Sequence, residues 1–581
     1  MTSDYNNTSS KADDNISSTK SSIDSIAVEQ YNGYVARSNA DIYINEINII
    51  NEEKDDDQNF DTDLEKYHTN YSLSKEYIDP EQRPPIFTSM FHEYICIFLC
   101  TFGPAAASMS STAYQTMLLP LSEYFGIQGG KLVWSVSSVM LANGACLLLM
   151  GGIADAFGRK NAMIIGFSMY AIFSLICGFM HNFVLLCLFR GLQGAAVACS
   201  TPAAAGFLGS TYKNSKRKNM VMSCFGIGAP VGGALGYFIA GVCVVALDWR
   251  AVQFFLTILF GILAILVIFF IPNDKKVDIK HCKNVFLNLD YGGALISLTS
   301  FTFICFSLTN VDATENRWRT PYIIALLVVG VALIPAFAIY ELYIPKNPLM
   351  PMQLYKNKNF CLCMIIATFS WLLFQGMLGY NSVLYFENIR GYPIMIVACC
   401  FLTQPIAGTL VNIFAGFTMH KIPGKYLMST GTLGFLGTAL VWSTMSIDRN
   451  YFLGPFWAFI LSVIGADLIY NISNRVTLSS LEKKLQSRGA GTFNTIIQLS
   501  AAVGLGINST IITSKYPAYG TPQQNDDPAG LLHAMKYSFY VGIALSGSAF
   551  ILTLFLKVGV IGINNKADTD GNSRAIQEPS E

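Results

Sequence analysis

Apolar runs of about 20 residues recur along most of this chain, and that recurrence constrains the fold more than any other feature. Twenty helical residues rise roughly 30 Å, the thickness of a hydrocarbon core. An open sheet there would leave backbone groups unpaired in lipid, so each run is read as a helix. The runs lie near 94–116, 131–153, 161–180, 183–208, 220–246, 251–272 and 289–309, then near 321–343, 359–381, 393–414, 425–446, 452–471, 489–512 and 537–560. The predicted class is an all-α integral membrane protein of about 14 transmembrane helices.

Composition agrees. Of the 581 residues 52% are hydrophobic and 13% charged, against about 25% charged in an average soluble domain. The net charge of +0 is a cancellation between regions and implies no partner. Residues 1–90 are rich in Ser, Asn, Asp and Lys, with acidic runs such as Glu52-Glu53-Lys54-Asp55-Asp56-Asp57, and read as a disordered tail. Residues 561–581 read the same way. The N-terminal stretch has no apolar core, so it is not a secretory signal, and the first insertion signal is the first membrane helix. The 14 cysteines sit mostly inside apolar runs and read as small buried hydrophobes. No metal site and no cofactor is expected.

Loop charge sets the expected orientation. Six alternate loops, starting with the one after helix 2, carry roughly 19 Lys and Arg, among them Arg159, Lys160, Lys213, Lys275, Lys346, Lys421 and Arg475. The other seven carry roughly eight, including Lys131, Arg250, Arg390 and Lys515. The positive-inside rule then predicts that both termini are cytoplasmic.

Between helices 2 and 3 stands Gly151-Gly152-Ile153-Ala154-Asp155-Ala156-Phe157-Gly158-Arg159-Lys160. Small residues there permit close approach and a sharp turn. Helix 4 carries Arg190-Gly191-Leu192-Gln193-Gly194, an arginine two turns into the span that must face protein or water. Helix 5 carries Gly226-Ile227-Gly228-Ala229-Pro230-Val231-Gly232-Gly233, small residues around a proline. The first string resembles the loop 2–3 signature of the major facilitator superfamily, G-x-x-x-D-x-x-G-R-K/R. The second and third are similar to that family's helix 4 motif and helix 5 antiporter motif, although Ala229 stands where glycine is usual. Leu289-Asp290-Tyr291-Gly292, Pro345-Lys346-Asn347-Pro348 and Arg390-Gly391-Tyr392 resemble the fourteen-span drug:proton antiporter branch, which includes fungal exporters of the aminotriazole-resistance type and members assigned to boron export and ammonium movement.

The resemblance covers nearly all of residues 90–560. It implies a six-helix bundle over 91–272, a loop and two inserted central helices over 273–345, and a second six-helix bundle over 346–560. It implies that Gly151, Asp155, Gly158, Arg159 and Lys160 form a conformational latch, with Asp155 facing the start of helix 13 near Arg488. Arg190 is implied in proton transfer, and Gly228, Pro230, Gly232 and Gly233 form the antiporter-like motif. One departure bears on coupling. Many members carry an aspartate in helix 1 where this chain has Ser111. Either coupling uses another group, or the chain is not a proton antiporter of the usual type.

Few other polar groups lie inside the spans. Asp467, Asn471 and Asn474 share one face of helix 12 by their i, i+4, i+7 spacing. A carboxylate at mid-span costs about 3 kcal/mol, so Asp467 either faces a cavity and takes part in coupling or pairs with a neighbouring helix. Gln115, Gln375, Gln404, Asn494 and Gln498 are candidate cavity residues for a polar substrate, or else hold helices together. No catalytic set stands out: the six histidines lie in loops or at helix ends, HExxH is absent, and no Walker sequence is present. The expected activity is export of small polar or amphipathic compounds by a secondary transporter, working as a monomer among lipids, with protons the candidate coupling ion and no nucleic-acid partner. The alternatives are a facilitator for ammonium or borate and a non-transporting sensor. The expected location is the plasma membrane, with the vacuolar membrane as the alternative.

Overall fold

The computed structural model describes residues 82–559 except 213–215, 274–285, 288, 312–316, 346–347, 420, 480–485, 520, 522 and 524–525. Residues 1–81 and 561–581 of the expected tails, and loop cations such as Lys213, Lys275 and Lys346, lie outside these residues; within the expected N-terminal tail, Phe87 is buried against Phe207 and Tyr212, so its last residues are folded onto the helices.

Among them the chain is helical. The long helices are α1 (Met90–Thr116), α2 (Gly130–Phe157), α3 (Arg159–Gly178), α4 (Phe183–Thr211), α5 (Lys216–Ala246), α6 (Trp249–Phe270), α7 (Tyr291–Thr309) and α8 (Pro321–Tyr343). They continue with α9 (Lys358–Ile389), α10 (Ile394–Ala415), α11 (Gly424–Ser443), α12 (Pro455–Ser479), α13 (Gln486–Lys515) and α14 (Pro528–Leu554). Thirteen are long and apolar enough to span a membrane. The other is α11, whose 20 residues are diluted by Gly, Ser and Thr. Those small residues let α11 lie against α12. A Cβ on Gly434 would come 2.7 Å from the Leu461 carbonyl, and one on Gly465 would come 2.9 Å from the Gly431 carbonyl. Close packing replaces the hydrophobic drive that lipid cannot supply.

Three helices differ most from the sequence expectation, and one of them, α12, runs on to Ser479, past the expected end at 471. α9 runs on to Ile389, past the expected end at 381; it is π-helical in its middle at Leu372–Leu378 and in its last turn at Tyr385–Ile389, and its polar Asn381 and Glu387 are buried in protein. α14 begins at Pro528, not near 537. Asp527 accepts from the Gly530 N–H at 2.9 Å and Pro528 supplies a preset first turn, so the polar His533 and Lys536 fall inside the helix.

In the first bundle α1 packs on α5, α2 and α3 on α4, and α3 on α6. In the second, α11 packs on α12 and α14, and α9 on α12 and α13. α7 lies where the bundles meet. Its Leu308 carbonyl accepts from Thr510 Oγ1 of α13 at 2.7 Å, and Phe306 lies 6.2 Å from Trp134 of α2. α8 rests on α7 through the Ser300 hydroxyl, which donates to the Gly330 carbonyl at 2.7 Å. Only Ile323, Gly330 and Glu341 of α8 are buried, which leaves an apolar face of the kind lipid covers.

Asn381 of α9 and Asn508 of α13 are both fully buried and exchange two amide hydrogen bonds, 2.9 and 2.8 Å. Either Asn→Leu change strands the other amide, at an expected cost of about 1–2 kcal/mol. The double Asn381→Leu, Asn508→Leu variant should recover part of that loss in unfolding measurements in micelles. Additive losses would deny the pairing.

Candidate functional site

Arg190 is the hub of the first bundle. It is 0% exposed. Its Nε donates to the Ser135 carbonyl at 2.9 Å. Its Nη1 donates to Ser110 Oγ at 2.5 Å and Gln193 Oε1 at 2.9 Å, and its Nη2 to the Ser110 carbonyl at 3.2 Å. The guanidinium lies 3.5 Å from the Tyr114 ring centroid. Gln193 passes the network on to Ser174 Oγ at 2.8 Å and Gln253 Oε1 at 3.1 Å, and Gln253 donates to the Tyr114 hydroxyl. One polar cluster thus ties α1, α2, α3, α4 and α6 together. Among the described residues, no carboxylate is a partner of Arg190. Its charge is spread over neutral oxygens and an aromatic face, which a planar guanidinium can use and a lysine cannot. Sequence reasoning found Arg190 but not Tyr114, Ser174 or Gln253, because each looks like an ordinary helix residue until the five helices meet. Ser111, the position of the missing aspartate, is buried beside this network, and it is Ser110 that touches Arg190.

On α5, Gly228, Gly232 and Gly236 form a stripe against α1. A Cβ on Gly232 would sit 2.3 Å from the Ala105 carbonyl oxygen, and one on Gly228 equally close to that of Thr101. Pro230 and Gly233 lie off this line. Pro230 faces α10, with its Cβ 3.7 Å from the Cβ position of Gly408. Asp467 of α12 approaches the same point: its Oδ2 is 3.1 Å from the Cβ position of Gly408, is buried, and has no hydrogen-bond partner among the described residues. Asn412 of α10 is beside the Asp467 carboxyl group; it donates to the Gly408 carbonyl at 3.0 Å and accepts from Asn471 Nδ2 at 2.9 Å. Asp467 therefore lies opposite the antiporter-like motif, beside Asn412, a residue the sequence did not single out.

The five amide candidates are not gathered in one place. Gln115 lies between α1 and α9, 2% exposed, with Oε1 3.0 Å from the Cβ position of Gly379 and Nε2 unpartnered. Gln498 meets α2 beside Gly144. Gln404 donates to Ser462 Oγ at 3.4 Å within the second bundle, and Asn494 accepts from the Tyr470 hydroxyl at 3.2 Å there. Gln375 lies half-buried in the first π segment of α9.

Gly158 joins α2 to α3 at φ +95°, a backbone conformation that glycine adopts freely. Arg159 donates to Ser210 of α4, and a Cβ on Gly152 would come 3.3 Å from Leu289 Cδ2, just before α7. Lys160 opens α3, and Gly151 packs near Pro202 of α4. The side chains of Asp155 and Arg488, and with them the expected Asp155 contact, lie outside the described residues. At the same end of the molecule Glu93 of α1, 1% exposed, takes Arg217 at 2.5 Å and the Tyr212 hydroxyl at 2.7 Å. The Glu93 hydrogen bond holds the Arg217 guanidinium above its ordinary value.

Residues 100–505 match the model of the Major Facilitator Superfamily. The chain belongs to that superfamily. It is similar to the aminotriazole resistance protein of Saccharomyces cerevisiae, 26% identical over 481 residues that cover 81% of this chain and 85% of the relative. It is 28% identical to the low affinity ammonium transporter of the same yeast over 84% of this chain and 93% of that one. An efflux pump of Aspergillus terreus is 24% identical over 75% and 83%. Among solved structures, a human organic anion transporter aligns over 81% of this chain and 100% of its own, with TM-score 0.53 and 12% identity, a likeness of fold alone. The protein is thus a multi-pass membrane transporter of the major facilitator type.

Proposed function

We propose that this transporter exports small polar or amphipathic compounds by alternating access, with both termini in the cytoplasm and the plasma membrane as its site. In this reading the two bundles rock about the seam between α1–α2 and α9–α13, as halves of this superfamily's kind of fold can about a midplane site. Gly151–Lys160 is the latch. The observation that carries the reading is Gln115. An amide at 2% exposure, placed between the bundles with Nε2 unpartnered, is a costly feature unless a solute or water completes it. The names of the aminotriazole resistance and efflux relatives support the export direction.

The test is expression in a yeast strain lacking related exporters, followed by uptake and efflux of azoles, borate, ammonium and methylamine. Normal fluxes for every solute, with the protein verified in the membrane, would sink the proposal. A facilitated-diffusion reading has one observation in its favour, Ser111 in place of the helix 1 aspartate, and the name of the ammonium relative agrees with it. Asp467 separates the two. If Asp467 carries the coupling proton, Asp467→Asn abolishes accumulation against a gradient and leaves solute exchange intact. Full uphill transport in that variant would remove Asp467 from coupling.

A further inference from the structure

A cleft of about 120 Å³ opens at the end of the molecule away from Gly151–Lys160, between the short helix Leu118–Phe125 and the end of α9. On the same measure one water needs roughly 10–15 Å³, so there is room for a small organic group. Glu387, Glu123, Gln128 and Ser122 supply polar lining, and Leu132 and Leu384 are among the apolar walls. No lysine, arginine or histidine lines it.

Glu387 sits in the second π segment of α9, so its side chain turns into the protein and is 7% exposed. Its carboxyl group lines the cleft beside Leu119, and its Oε1 is buried with no partner among the described residues. Gln128 Oε1 is likewise buried and unpartnered. Glu123 is exposed at the mouth. Glu387 Oε1 and Gln128 Oε1 thus have no hydrogen-bond partner among the described residues, in the wall of a cleft that Glu123 borders. Buried acceptors left open are costly, and a carboxylate more so. A π turn beside them is the kind of irregularity that recurs at functional sites.

We propose that this cleft binds a small monovalent organic cation, a protonated amine with an apolar body. On binding, the Glu387 and Gln128 side chains, whose Oε1 atoms are closed in the free form, turn toward the cleft and accept from the ammonium head, Glu123 adds charge at the entrance, and the leucines cover the hydrocarbon part. A hard divalent ion is a poorer fit, because it wants six or more oxygen ligands and four of the eleven lining residues are leucines. The site is separate from Asp467 and from the Arg190 network, and it does not depend on which solute is exported.

The full-length protein in detergent micelles is titrated calorimetrically at pH 7 with benzylamine and with benzyl alcohol, its neutral analogue. Saturable binding of the amine and none of the alcohol is expected. Glu387→Gln should weaken the amine about tenfold or more, and Glu123→Gln by less, since charge-assisted bonds at the buried group contribute most. Leu384→Trp keeps both carboxylates but fills the cleft, and it should also abolish binding; this variant covers the case in which Glu387→Gln fails to fold. Equal affinity for amine and alcohol, or amine binding unchanged in a folded Glu387→Gln or Leu384→Trp protein, would overturn the site. Because binding is read without flux, a transport-inactive protein that binds the amine through Glu387 leaves this inference standing while the export proposal falls.

Discussion

Arg190→Ala is expected to cost both stability and transport. The change removes the donor to four acceptors on α2, α1 and α4, and it leaves Gln193 Oε1 and the Ser110 hydroxyl without this partner in a fully buried place. Hydrogen bonds to a charged group contribute about 1.5–3 kcal/mol each, and stranded partners add their own penalty, so a loss of about 3 kcal/mol is expected. The melting temperature in detergent should fall by several degrees, and initial-rate efflux below about a tenth of wild type. Arg190→Lys should rescue neither. An ammonium offers three donors from one point and cannot span Ser135, Ser110 and Gln193 while covering Tyr114. Gln253→Leu should reproduce part of the stability loss, because Gln253 joins Gln193 to Tyr114. Wild-type melting and wild-type efflux in Arg190→Ala would show that the network is dispensable. Loss of efflux with unchanged melting would give Arg190 a role in coupling alone.

Gly232→Leu is expected to abolish accumulation of folded protein. The first side-chain carbon would stand 2.3 Å from the Ala105 carbonyl oxygen and 2.6 Å from the Ala105 Cα. Backbone, not a movable side chain, occupies the space, so α1 and α5 must separate along the whole stripe of Gly228, Gly232 and Gly236. Overpacking of this kind costs several kcal/mol, at or beyond the usual range of about 1–3. Gly233→Leu is the control. Its Cβ position has only the Thr112 Cγ2 atom, at 3.8 Å, within reach, so its first carbon is tolerated and a much smaller loss is expected. Fluorescence-detected size exclusion of the two variants checks the contrast. A monodisperse peak at wild-type yield for Gly232→Leu would refute the stripe. The comparison also divides the motif by role: Gly228 and Gly232 serve packing on α1, whereas Pro230 is the member facing Gly408 and Asp467.

Fourteen runs of apolar residues set the class of this protein, since a chain in lipid must satisfy its own backbone and helices do so locally. Arg190 and Asp467 were legible for the same reason, because a charge in a span stands out against hydrocarbon. Gly151–Lys160 was legible as a string, with its turn at Gly158. Periodicity does not say which helix a residue meets. The Arg190 network joins positions separated by up to 139 residues in the chain, and Asn381 finds Asn508 across 127. Glu387 was hidden for a further reason: its π turn shifts the helix face by a fraction of a turn, and regular helical spacing cannot foresee that shift. The sequence by itself determined that the chain is a bundle of membrane helices with a few conspicuous charges. Only the tertiary structure decided which of those charges are enclosed by neutral partners, as Arg190 is, and which keep an open oxygen, as Asp467 and Glu387 do, because hydrogen-bond partners are chosen by helix packing and not by neighbours along the chain.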